Sequence, residues 1–186
     1  MINDTLQLLL DVFVQGFAGI LLARFLLQTL RAPLRNPLGE AVMSLSNFIV
    51  LPARRYVPSV RQLDTATLLL AVLVMTLYVA LLFALQGMAS YALLGLLALS
   101  CVKLLILTVY FLIGALIAQW ILSWTNPHTP LAPILHGITQ RFLTPLQRVI
   151  PLIGNFDLSL PILLVICQIV LRVPLAVLEN LALRLL

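Results

Sequence analysis

The sequence predicts an all-α membrane protein: four transmembrane helices in two parallel tandem repeats, each repeat with an interfacial amphipathic helix. Three observations carry this prediction. The 186 residues are 62% apolar and 9% charged, against roughly 45–50% and about 25% in an average soluble domain, so the chain lacks the polar surface to cover a soluble core. Four stretches reach the roughly 20 apolar residues needed to cross a bilayer. The chain also matches itself at a shift of 93 residues without a gap. The net charge is +5, and ten of the eleven cations are Arg. In so apolar a chain this points to a membrane surface and excludes nucleic acid as the partner.

The first span is placed at 6–30 and contains Asp11, Gln15, Arg24 and Gln28. Met1-Ile2-Asn3-Asp4 lacks the positive flank of a signal peptide, so this run is expected to stay as structure. Asn36-Pro37 reads as a helix start: the Asn oxygen caps a free N–H, and proline suits the first helical position. Leu38, Val42, Leu45 and Ile49 follow on one helical face. A helix over 37–51 is too short to span and is expected in the cytoplasmic interface, with packing against the spans, and after it a re-entrant hairpin, as the alternatives. Pro52 and Pro58 should end it in a stiff turn. Arg55, between them, has two candidate partners. One is a lipid phosphate, which suits a planar guanidinium. The other, the preferred reading, is Asp64, which stands where it also caps the second span. That span, 66–85, carries no charge.

The third apolar run is too long for one untilted span and is interrupted only by Lys103. The span is placed at 104–123, with Lys103 at the interface and 91–102 extending the helix or lying in the interface. Thr129-Pro130 reads as a second cap, and Leu131, Leu135, Ile138 and Phe142 as the apolar face of a helix over 130–143. Pro145, Arg148, Pro151 and Asp157 repeat the turn and cap of the first half. The fourth span, 158–178, holds Gln168 and Arg172 and is expected to break at Pro174.

At the 93-residue shift Pro37 falls on Pro130, Pro52 on Pro145, Arg55 on Arg148, Pro58 on Pro151 and Asp64 on Asp157. The repeats are 1–93 and 94–186. Each holds two spans, so both have the same orientation. Seven Arg fall in the two long loops, against two cations near the other boundaries. By the positive-inside rule both loops are cytoplasmic and both termini outside.

These residues resemble the YggT family of small bacterial integral membrane proteins, related to plastid YlmG-type proteins. The resemblance covers essentially the whole chain. It rests on Asn36-Pro37-Leu38, the Pro52/Arg55/Pro58/Asp64 set, Ile121-Leu122-Ser123-Trp124, Thr139, the Pro145/Arg148/Pro151 set, and Gly154 with Asp157 and Ser159. It departs where the family has a proline after the loop Ser or Thr: Phe48 and Arg141 stand there. The resemblance implies an inner-membrane protein. It also implies roles in osmotic-stress tolerance with a link to ion uptake, in cell division, and in plastid cytochrome maturation and nucleoid organisation.

Ionisable groups at membrane depth are costly, which makes Asp11, Arg24, Lys103 and Arg172 candidates. Arg24 is expected to snorkel to the near surface, and Asp11 to pair with Lys103 or Arg172 where the halves meet. Gln15, Gln28, Gln119 and Gln168 are expected to make interhelical hydrogen bonds. Gly19/Ala23, Ala80/Ala84 and Gly114/Ala118 have the spacing of close helix contacts. Cys101 and Cys167 read as small apolar side chains. No enzyme signature, metal-ligand cluster or cofactor motif appears, and His128 and His136 read as loop histidines. The expected function is a non-enzymatic membrane scaffold or assembly partner in envelope stress, with anionic lipid, a second copy or another membrane protein as partner. The alternative is a small transporter or channel subunit for osmotic ion balance.

Overall fold

The computed structural model describes residues 2–30, 32, 36–57, 64–87, 92–125, 129, 131–149 and 159–186. The expectations for Pro58, His128, Pro130, Pro151 and Asp157 fall outside them. Among the described residues the chain is all-helical, and four helices are long and apolar enough to cross a membrane: α1 (Asn3–Thr29), α3 (Thr65–Leu85), α4 (Leu93–Thr125) and α6 (Ser159–Leu183). Two shorter helices lie between them, α2 (Pro37–Ala53) and α5 (Ala132–Val149). All four spans carry exposed large apolar side chains, such as Leu8, Leu73, Tyr110 and Val165. In water such a belt would be a liability; in a bilayer it is the solvated face.

The spans run antiparallel in chain order, as pairs at their ends show. Asn3 Nδ2 donates to the Leu85 carbonyl (3.5 Å), and Lys103 meets Glu179, at one end. Thr29, Thr65, Thr125 and Ser159 mark the other end, where α2 and α5 pack. The first apolar cluster joins Ala18 and Leu21 of α1, Met75 and Val79 of α3, and Leu96 and Leu99 of α4. A second joins Leu116, Leu143, Leu163 and Cys167 of α4, α5 and α6. Leu27, Ala115, Ile134 and Ile138 form a third cluster at the short-helix end.

Several element boundaries differ from those the sequence suggests. α4 is one continuous helix of 33 residues. The stretch before Lys103 therefore extends the helix, and α6 packs along it: a Cβ on Gly95 would lie 2.5 Å from the Leu185 carbonyl oxygen. Pro174 does not break the fourth span. It sits in a π-bulge over Leu171–Leu175, whose wider turn takes up the clash with the preceding carbonyl, and the helix runs on to Leu183. A second bulge, Asp11–Gln15, interrupts α1. Pro145 likewise does not end α5, which continues to Val149. Pro145 and Arg141 are both exposed, so the carbonyl freed by the missing N–H is on the accessible side.

The Asn36 cap forms as expected, its Oδ1 accepting from the Gly39 N–H at 2.7 Å with Pro37 in the first turn. The Thr129 cap does not: its hydroxyl has no hydrogen-bond partner, and α5 begins at Ala132. The apolar face read for α2 is also rotated from the buried one. Gly39, Ser46 and Val50 are buried against the spans and Val42 and Ile49 pack on the core clusters, whereas Leu38 and Leu45 of the predicted face are exposed. The reason is polar: α2 turns Ser46 and Asn47 toward a charge in α1.

Candidate functional site

That charge is Arg24. It lies five residues before the end of α1, about 7.5 Å along the helix axis, and only 1% of it is exposed. Its Nη1 donates to Ser46 Oγ (2.7 Å) and to Asn47 Oδ1 (3.0 Å). Ser46 in turn donates to the Val42 carbonyl at 2.6 Å, which leaves its oxygen lone pairs for the guanidinium. Arg24 Nε is buried without a partner. The snorkelling expectation is therefore corrected: Arg24 turns into the protein, because two acceptors one helix away satisfy it at depth.

A second cation follows one turn closer to the helix ends. Arg54, at the C-cap of α2, forms a fork with Asp64: Nη2 pairs with Oδ2, and Nε donates to Oδ1 at 3.4 Å. Arg54 Nη2 also reaches Gln28 Oε1 at 3.5 Å. Asp64 is 5% exposed and caps α3, accepting from the Thr67 N–H at 3.4 Å and from the Thr67 hydroxyl. Burial alone would raise the Asp64 carboxyl. The hydrogen bonds from Arg54 and Thr67, with the Arg54 charge, outweigh it and hold Asp64 below the ordinary carboxylate range. The predicted turn-and-cap pairing thus exists, but Arg54 supplies it and Arg55 is exposed. The adjacent Arg in the sequence hid this, since only the direction in which α2 ends decides which of the two faces Asp64.

The cation of this fork is not repeated in the second half: Gln147 stands 93 residues after Arg54. Thr139, at the position equivalent to Ser46, is fully buried and its hydroxyl meets Gln119 Oε1 of α4. Gln28 and Gln119 thus both make interhelical contacts, Gln28 also touching Met43 Sδ at 4.0 Å. Beside Gln119 opens a cavity of about 450 Å³ lined by Ser123, Thr129 and His136. Arg148 is exposed, as is Pro145.

At the opposite end the expected Asp11 pairing is corrected. Asp11 Oδ1 accepts from the Tyr78 hydroxyl at 2.7 Å, and Lys103 Nζ pairs with Glu179 Oε1 at 2.6 Å. Glu179 escaped the sequence reading because it falls one residue past the predicted end of the fourth span; the bulge at Pro174 carries the helix on and brings it to Lys103. Arg172 is exposed on α6, one turn from exposed Gln168. A Cβ on Gly19 would lie 3.8 Å from Leu107 Cδ2, an ordinary close contact between α1 and α4, whereas Gly114 is exposed with open space around it.

Comparison with known proteins places these features in a family context. The CCB3/YggT family model matches residues 3–85 and 98–178. An uncharacterised protein of Pseudomonas aeruginosa is 32% identical over 145 residues, 75% of this chain and 73% of that protein. An uncharacterised protein of Vibrio alginolyticus is 28% identical over 165 residues, 87% and 89% of the two chains. The uncharacterised protein YggT of Escherichia coli K12 is 26% identical over 169 residues, 90% and 87% of the two. No solved structure matches the chain.

Proposed function

The chain belongs to the CCB3/YggT family, and on that premise we propose that it is a non-enzymatic scaffold or assembly factor of the bacterial inner membrane. One observation carries the reading. Four of the charges in the spans are tied off within the protein, Arg24 to Ser46 and Asn47, Asp11 to Tyr78, and Lys103 to Glu179, while Arg172 is exposed. Each pair joins two helices, so each sets helix position. Polar bonds between helices of this kind serve specificity of packing.

In this reading the two matched segments are tandem copies in one orientation, with both termini outside. The exposed Arg55 and Arg148 then meet the anionic cytoplasmic leaflet. A second copy or another membrane protein docks on the assembled bundle, and osmotic stress, which the family resemblance implies, is the physiological setting. The protein reconstituted in liposomes should carry no potassium flux above that of empty liposomes, and crosslinking in native membranes should capture a protein partner. Flux that disappears on changing Arg172 or Gln168 would replace this reading with a transporter subunit, because those two polar side chains share one exposed face.

A further inference from the structure

We propose that the α4–α5 face is a binding site for one phospholipid molecule, with an acyl chain in an apolar groove and the headgroup in the polar cavity at its end. The inference uses the membrane-spanning reading of the four helices and is independent of the scaffold reading.

The groove holds about 400 Å³ and is walled by Tyr110, Phe111, Leu131 and Ile134, with Gly114 and Ala118 as its floor. Along α4 it runs from Tyr110 to Leu122. Twelve residues at about 1.5 Å each give roughly 18 Å, close to the depth of one leaflet, half of a hydrocarbon core of about 30 Å. The small floor makes the groove: Gly114 is exposed, and a Cβ there would meet nothing within 4 Å.

The groove does not stop at bare surface. Leu122 and Leu135 line both it and the 450 Å³ cavity, so the two adjoin. That cavity changes character: Gln119, Ser123, Thr129 and His136 line it. The Thr129 hydroxyl is buried there without a hydrogen-bond partner, a cost that a ligand oxygen would remove. Trp120 and Trp124, next in the helix to Gln119 and Ser123 and so at the same height, meet edge to face at 5.8 Å, and both are exposed. Tryptophan concentrates at the level of the headgroups. The polar cavity therefore sits at interface height and the apolar groove at hydrocarbon height, the order in which a phospholipid presents its own parts. The groove has room for one chain, and the second stays in the bilayer.

The test is native mass spectrometry of the detergent-purified full chain after incubation with palmitoyl-oleoyl phosphatidylglycerol and washing. The wild type should retain about one lipid per chain, the stoichiometry of a single pre-formed site. Gly114→Leu fills the groove from a position with open space and should reduce retention at least ~10-fold, a loss of about 1.4 kcal/mol of binding. Gly16→Leu, also in open space but on α1, should retain lipid like the wild type and shows that a larger side chain on a span is tolerated. Thr129→Val should weaken retention with the groove intact. A wild type that holds no lipid after washing, or equal retention by Gly114→Leu and Gly16→Leu, overturns the proposal. So does a dimer that Gly114→Leu converts to monomer with lipid retention unchanged, since the groove is then an interface between two copies.

Discussion

At the scale of single residues, Arg24, Asp11, Lys103 and Glu179 are each supplied with a partner on a neighbouring helix. Arg24 is the clearest case, because its cost depends on whether its acceptors are present. Asn47→Leu removes one acceptor from a buried guanidinium and should destabilise the protein by about 1.5–3 kcal/mol, the range for hydrogen bonds to charged groups. Arg24→Met removes the charge as well and should cost less than Asn47→Leu, because no buried cation is stranded. Thermal unfolding in detergent ranks the two variants, and the reverse order would show that the Arg24 stem matters more than its charge. Asp64 gives a pH prediction. Its folded pKa lies below the unfolded value of 3.8. Its contribution is therefore fully present above that value and is lost as pH falls through the lower folded one. Melting temperature should drop on acidification below about pH 4 for wild type, and this component should be missing from Asp64→Asn, which is less stable at neutral pH through loss of the Arg54 fork and the α3 cap.

At the scale of elements, glycine position and helix length decide the packing of α4 against α6. Gly95→Ala places a methyl 2.5 Å from the Leu185 carbonyl and should destabilise by about 1–3 kcal/mol, the usual cost of overpacking. Gly114→Ala, with open space around its Cβ, should instead gain about 0.5–1 kcal/mol from the better helix residue. Paired unfolding measurements on the two variants should therefore move in opposite directions. The Lys103–Glu179 pair closes the same interface with side chains about a third exposed. A double-mutant cycle should give a coupling of only about 0.2–1 kcal/mol, and exchanging the two charges should restore most of what either single reversal loses. α2 teaches a related lesson. Its heptad-like run is only half protein-facing: Val42 and Ile49 pack on the bundle, whereas Leu38 and Leu45 are exposed, because in a bilayer exposed apolar residues carry no penalty and polar residues turn inward.

At the scale of the whole molecule, the short-helix end concentrates the polar centre of Arg24, Arg54 and Asp64, the Gln119–Thr139 contact and the proposed headgroup cavity. The proposed orientation puts this end at the cytoplasmic face. Cysteines introduced at positions 55 and 148, with Cys101 and Cys167 replaced, should react with a membrane-impermeant maleimide only after the cytoplasmic side is opened. A tag at the N-terminus should react before it. Labelling of 55 and 148 from opposite sides would remove both the parallel-repeat reading and the single polar end.

Although Pro145 and Pro174 did not mark helix ends, composition, the spacing of apolar runs and the capping residues were enough to read four membrane helices, two short helices between them and the Asn36 and Asp64 caps. These follow from local chemistry: hydropathy over a span, and a side chain bonding the backbone a few residues away. Partners across helices were not legible in the same way. Arg54 rather than Arg55 meets Asp64, Tyr78 rather than Lys103 meets Asp11, and Ser46 and Asn47 draw Arg24 inward, because such contacts depend on helix rotation and on bulges that shift register. Only the packed bundle settles these, since a bulge or a few tens of degrees of rotation changes which neighbour a side chain can reach while leaving the hydropathy of the segment unchanged.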